Sequence, residues 1–163
     1  MISRLGGKEG WAMYLILVQH GEALPKEKDP ERPLSVRGED QAVRMARFLA
    51  RLPFRPDRVY HSGKLRAAQT AEYAARELGI SAIEPHEGLG PDDGVDSWAK
   101  RLMAHEGNLL IAGHMPFMGK LASALVGRGE ARPVIDFSNA SPCILERNDE
   151  GFVIHAYVRN DYC

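Results

Sequence analysis

A chain of 163 residues, 44% apolar and 26% charged, is long enough for one domain with a proper core and too short for two comfortable ones. Its net charge of -1 gives no overall pull toward nucleic acid or an anionic membrane, and no apolar run approaches the roughly 18 residues of a membrane span. Two cysteines, Cys143 and Cys163, are too few and too far apart to suggest a disulfide framework or a zinc site.

The opening segment MISRLGGKEGWA, residues 1–12, lacks the apolar core and small-residue cleavage site of a signal peptide. It reads as a flexible extension, with residues 13–163 as a single domain, a monomer, and the cytoplasm as the expected compartment. YLILV (14–18) is rich in strand formers and is stopped by His20-Gly21, as a buried strand would be. A polar, proline-rich loop follows from Leu24 to Gly38. In EDQAVRMARFLARL the residues Ala42, Val43, Ala46, Leu49 and Ala50 recur at helical spacing, with Arg44, Arg47 and Arg51 turned outward. DRVYHS (57–62) predicts a short strand, and KLRAAQTAEYAARELG an alanine-rich helix closed by Gly79.

A weaker strand near Ser81–Pro85 leads into the acidic loop EGLGPDDG, and residues 95–105 have helical character. NLLIAG (108–113) is a second strongly apolar strand. In PFMGKLASALVG, Pro116 suits a first helical turn, with Met118, Leu121, Ala122, Leu125 and Val126 on one face. SPCILERNDEGFVIHAYV predicts a hairpin turning at Asn148–Gly151.

Strands alternating with helices predict an α/β fold: a three-layer α/β/α sandwich around a mostly parallel central sheet. Ligands of such sheets bind beyond the carboxyl ends of the strands. The two most apolar strands both run out into histidine: LILV into Gln19-His20-Gly21 and LLIA into Gly113-His114. A third, RVYHS, hands over to a helix with Arg66 in its first turn. Two histidines and an arginine so placed suit phosphoryl chemistry. A neutral imidazole nitrogen is a good nucleophile for phosphorus and a fair leaving group. An arginine grips phosphate bidentately, and a helix start adds N–H donors.

Each residue also has a plainer reading. Strand-end histidines are commonly satisfied structural residues, and first-turn arginines are commonly solvated or paired. His61 reads as packing, and His86, His105 and His155 as loop or surface residues. A metal site of His20, Glu22 and His114 is the competing ligand set, but the helical histidine pair of a metalloprotease is missing. No metal and no cofactor are therefore expected.

Four stretches together carry a family likeness. LVQHGEA resembles the R-H-G signature of the histidine phosphatase superfamily, the phosphoglycerate mutase-like fold. HSGKLRAAQTAE resembles its S-P-x-x-R-A-x-Q-T-A-E segment, and LIAGHMPFM its G-H-x-P segment. DPERPLSVRG (29–38) is similar to the R-P-L-T-x-x-G stretch of the short branch typified by the phosphohistidine phosphatase SixA. The likeness runs from about Tyr14 to Tyr157. It implies that His20 is the nucleophile, that Arg66 and His114 bind the phosphoryl oxygens, and that Arg32 faces the same pocket. Gln19, Gly21, Glu22 and Ser62 would complete the substrate site, with Ser62 and Gln69 organising loop and helix rather than reacting. The implied partner is a protein carrying a phosphorylated histidine.

Two departures stand out. Gln19 occupies the place of the family's usual arginine, which removes a full charge from the anion site. One charge-assisted hydrogen bond contributes about 1.5–3 kcal/mol, so an uncompensated loss slows turnover about 10- to 100-fold. Arg32 and Arg37 are the residues able to fill the gap. The second departure is the general acid: the loop EPHEGLGPDDG offers Glu87, Asp92 and Asp93 without a clear match, and Glu22 is another candidate. A phosphoramidate leaving group is an imidazole, which needs a strong acid less than an alkoxide does. The alternatives are a phosphatase of small phosphomonoesters, which would need a working acid, and a non-catalytic phosphate- or phosphoprotein-binding module weakened by Gln19.

Overall fold

The computed structural model describes residues 12–129 and 132–163. The expected extension, apart from Ala12, lies outside the described residues. The chain runs β1 (Met13–Gln19), α1 (Val36–Ala50), β2 (Arg58–His61), α2 (Leu65–Leu78), β3 (Ile83–Pro85), α3 (Asp96–Met103), β4 (Leu109–Gly113), α4 (Phe117–Leu125), β5 (Cys143–Asn148) and β6 (Gly151–Tyr157). A 3₁₀ turn, Asn160–Tyr162, closes the chain. Among the described residues the strands form one sheet in the order β3-β2-β4-β1-β5-β6. β1, β2, β3 and β4 pair in parallel, β5 lies antiparallel to β1, and β6 antiparallel to β5. Only β5 therefore runs against the other five strands.

Period-2 alternation divides the core into two. Leu15 and Leu17 of β1, with Leu109 and Ile111 of β4, pack against Trp98 and Leu102 of α3 and Phe117, Met118 and Leu121 of α4. The intervening Ile16 and Val18, with Leu110 and Ala112, pack against Met45 and Leu49 of α1 and Ala71, Ala74 and Leu78 of α2. Strands buried on both faces read as unbroken apolar runs, which is why LILV and LLIA stand out in the sequence. Each Leu or Ile fully buried this way contributes about 1.5–3 kcal/mol relative to exposure. The fold is the predicted three-layer sandwich.

Local departures have local causes. α1 begins three residues earlier than its apolar spacing suggests, because Ser35 caps it by accepting the Gly38 N–H. Met45 is fully buried on its inner face, where the expected stripe of Ala42, Ala46 and Leu49 also lies. Pro116 stands at the N-cap of α4 rather than inside its first turn. Gly79 ends α2 at φ +69°, a left-handed conformation that suits glycine. The hairpin turns at Asp149-Glu150, as predicted.

Candidate active site

β1 and β4 are neighbours with Gln19 opposite Gly113, so the first residues beyond them, His20 and His114, emerge side by side. The His20 N–H donates to the Gly113 carbonyl at 2.9 Å, and the two imidazole centroids lie 5.1 Å apart. Continuing the strand alternation from Ile16 and Val18, and from Leu110 and Ala112, both histidines fall on the α1/α2 side of the sheet. α2 begins there. Its second residue, Arg66, donates from Nε to His20 Nε2 at 3.2 Å. Ser62, between β2 and α2, hydrogen-bonds His114 Nε2 at 2.6 Å. The fold thus brings His20, Arg66, His114 and Ser62 together from three strand ends and one helix start.

The environment sets the imidazole chemistry. His20 Nδ1 lies 2.6 Å from the Gly21 carbonyl, which can only accept, so Nδ1 carries the proton and Nε2 keeps its lone pair toward Arg66. His20 is 9% exposed and His114 2%. Burial, with the Arg66 and Arg32 guanidinium groups nearby, lowers the His20 pKa to about 4 despite the opposing hydrogen bond to Gly21. Burial first, then the charges of His20, Arg66, Lys64 and Arg32, lowers that of His114 to about 3. Both rings are neutral at pH 7.

That neutrality has a stability consequence. The unfolded chain binds protons on these histidines near pH 6.5, whereas the folded chain resists until about 4 and about 3. Between those values the unfolded state holds more protons, so stability rises with pH across this window and falls as pH drops through it. Urea unfolding measured from pH 7.5 down to 4.5 is expected to show a falling midpoint below about pH 6.5, with a shallower fall in His114→Asn; a slope unchanged by that substitution would contradict a buried neutral ring.

The loop after β1 is held from several directions. Gly21 N–H donates to Thr70 Oγ1 (3.0 Å), which donates to the Arg66 carbonyl (2.8 Å). Glu22 N–H donates to Gln41 Oε1 (2.8 Å), and Asn139 Nδ2 donates to the His20 carbonyl (2.9 Å). A Cβ at Gly21 would come within 2.6 Å of the Gly38 carbonyl, and one at Gly38 would overlap the Glu22 carbonyl. The glycines of H-G and R-G are there because two backbones touch. Thr70, Gln41 and Asn139 were not singled out from the sequence. Thr70 lies within the quoted AQTAE run, whereas Asn139 reaches His20 across 119 positions with no local signal.

The nominated charges separate clearly. Arg32 sits at φ +50° in a loop held by the Ala23–Leu34 bridge and by the Leu34 N–H to Gln69 Oε1 bond of 2.8 Å. Its Nε donates to the Leu24 carbonyl at 3.1 Å, and its charge is among the causes that lower the pKa of His20, His114 and Arg66. Arg37 does not fill the gap left at position 19, because its side chain is 72% exposed and lies 3.5 Å from Glu22. Gln19 ends β1 half-buried, and among the described residues its side chain makes no hydrogen bond.

The Glu22 carboxylate is taken by the Ser35 hydroxyl at 2.7 Å and by Arg37. The metal alternative consequently loses its carboxylate ligand, and among the described residues no group of three His, Cys, Asp or Glu is placed to hold an ion. Asp93 accepts the Gly90 N–H at 2.7 Å, closing its own turn, while Glu87 and Asp92 are exposed. The side chains that lower the His20 pKa are Arg66 and Arg32, and Arg66, Lys64 and Arg32 also lower that of His114. His61 accepts the Gly63 N–H, and His86 and His105 lie in loops, half-buried beside Tyr60. His155 is exposed on β6.

Both the sequence and the fold have known relatives. Residues 15–90 match the histidine phosphatase superfamily, branch 1. The phosphohistidine phosphatase SixA of Escherichia coli K12 is 31% identical over 145 residues, 85% of this chain and 89% of that protein. The solved structure of the protein histidine phosphatase SixA with tungstate superposes with a TM-score of 0.81 at 25% identity, covering 91% of this chain and 98% of the other. An α-ribazole phosphatase from Shigella flexneri shares the fold, with a TM-score of 0.74 at 17% identity over 91% of this chain and 97% of its own.

Proposed function

The chain belongs to the histidine phosphatase superfamily and is a phosphatase, and on that premise we propose that it removes phosphate from a phosphohistidine side chain of a partner protein through its own His20. The observation that carries this reading is a neutral imidazole whose Nδ1 proton is held by the Gly21 carbonyl and whose Nε2 lone pair faces the Arg66 guanidinium at 3.2 Å. His20 Nε2 attacks phosphorus while the P–N bond to the substrate imidazole breaks, and that imidazole leaves with a proton taken from solvent. Water then attacks the phosphorus on His20, releasing inorganic phosphate and restoring Nε2. Arg66, Arg32 and His114 hold the phosphoryl oxygens, and Ser62 fixes the His114 ring. The Gly21 carbonyl accepts the Nδ1–H bond that leaves the lone pair on Nε2, and Gln19 offers one neutral donor. With Glu22 held by Ser35 and Arg37, Asp93 by the Gly90 N–H, and Glu87 and Asp92 exposed, the candidate acids are otherwise engaged, which supports a leaving group that needs no strong acid, as an imidazole is and an alkoxide is not. Likeness to SixA supports the same substrate class.

Rapid quench with a radiolabelled phosphohistidine protein tests the reading. The expected result is acid-labile, base-stable label on the enzyme, followed by phosphate release. Turnover of phosphomonoesters alone would replace the protein substrate with a small one, and no label with either would point to a binding module.

Arg32 is the second cation of the site if Gln19 supplies none. Arg32→Ala is expected to lower kcat/KM about 10- to 100-fold, and Gln19→Arg to restore much of that loss in the double variant. A four-variant kinetic cycle in which the two changes are simply additive would reject this exchange of roles.

A further inference from the structure

The residues from Gln19 to Glu22 are gripped by two groups that converge on one amide near the end of the chain. On one side, the Ala140 N–H donates to the Gln19 carbonyl at 2.9 Å and Asn139 Nδ2 to the His20 carbonyl at 2.9 Å. On the other, Gln41 Oε1 accepts the Glu22 N–H at 2.8 Å. Asn160, in the closing 3₁₀ turn, joins them: its Nδ2 donates to the Ala140 carbonyl and to the Gln41 carbonyl, both at 2.8 Å. Its own N–H donates to Ser141 Oγ at 2.9 Å.

Three further observations give this amide a purpose. Asn160 is 5% exposed, although asparagine is seldom so deeply buried without a structural demand. Its Oδ1 is buried with no hydrogen-bond partner among the described residues, so the amide is held there for its two donors. Ala140 stands at φ +45°, a conformation that a non-glycine residue keeps only when its surroundings impose it. That conformation belongs to the residue whose N–H meets Gln19 and whose predecessor holds His20, and the Asn160 bond to its carbonyl helps impose it.

We propose that Asn160 is a positioning residue for His20, acting through the Asn139-Ala140 segment and through Gln41 without touching the phosphoryl group. The role of His20 itself rests on the function proposed above. Without the Asn160 donors, two buried carbonyls lose their partner, Ala140 relaxes, and the His20 backbone shifts relative to Arg66 and His114. A displacement on the ångström scale at a reacting group costs turnover without weakening substrate binding in proportion.

The test compares Asn160→Ala with Leu125→Ala, a buried α4 residue on the opposite face of the sheet, at matched loss of thermal stability. Asn160→Ala is expected to lower kcat about 10- to 100-fold with KM changed less than about threefold, while Leu125→Ala keeps the kcat of the parent chain. Imidazole ¹⁵N spectra read the clamp independently of turnover. The Nδ1–H form of His20 is expected to be sharp in the parent chain and in Leu125→Ala, and averaged or lost in Asn160→Ala. An unchanged His20 signal in Asn160→Ala overturns the proposal, as does an equal kcat loss in both variants. A parent chain without turnover would count against the proposed function and leave the spectral comparison to decide the role of Asn160.

Discussion

His20→Ala is expected to leave no phosphoenzyme and no measurable turnover, while the protein still folds and still binds an oxyanion. The site holds a second neutral imidazole, yet His114 is not equivalent. Its Nε2 is engaged by Ser62 at 2.6 Å, and its ring is 2% exposed. His20 alone has its proton fixed on Nδ1 by a carbonyl and its Nε2 turned to the cation that would receive the phosphoryl oxygens. Removing a covalent nucleophile typically costs about 10⁴-fold or more, since what remains is positioning and charge. The check pairs single-turnover quench with tungstate binding by calorimetry. Binding retained with label lost is the expected pattern. Label that persists in His20→Ala would move the nucleophile elsewhere, and binding lost with label would mean that the substitution dismantles the site.

Arg66→Ala is the second large effect, with kcat expected to fall about 10²- to 10³-fold, the scale seen when one preorganised donor to a transition-state oxyanion is removed. Position 19 carries no charge here, so Arg66 takes a larger share of the neutralisation than it would beside a second strand-end arginine. The substitution also has a signed effect on pH dependence. The Arg66 charge is among the causes that depress the His20 pKa to about 4. Its removal lets that pKa rise toward the ordinary imidazole range, so the acid limb of the kcat profile moves upward in pH. Arg66→Lys keeps the charge and loses the planar fork, and is expected to recover the acid limb more fully than the rate. A rate loss without movement of the acid limb would show that Arg66 does not set the His20 ionisation.

Much of this site was legible because parallel sheets collect their chemistry at one edge. LILV-QH and LLIA-GH are recognisable without knowing that β1 and β4 are neighbours, and the pairing of Gln19 with Gly113 then makes the histidines adjacent. Arg66 was legible for a related reason, since a helix that follows a strand starts at the same edge. What stayed hidden was held by long-range backbone contacts. Asn139 and Asn160 serve His20 through main-chain carbonyls, and such a demand leaves no spacing for a reader to count. The early start of α1 was hidden by Gly38, which reads as a stop and is instead a helical residue pressed against the Glu22 carbonyl. Arg37 is set aside only because α1 turns its side chain to solvent beside Glu22, and composition has no bearing on that.

The division of the core into odd and even faces places an arithmetic constraint on how this chain can change over time. His20 and His114 reach the same side because each stands an even number of positions beyond an inward-facing residue of its strand. Gaining or losing a single residue within β1 or β4 would send one imidazole to the α3/α4 side and exchange the residues that the strand presents to the two helical layers. Lineages descended from such a sequence are free to lengthen the loop around residues 86–94, where no parity is counted. Within those two strands, length changes are accessible only in pairs.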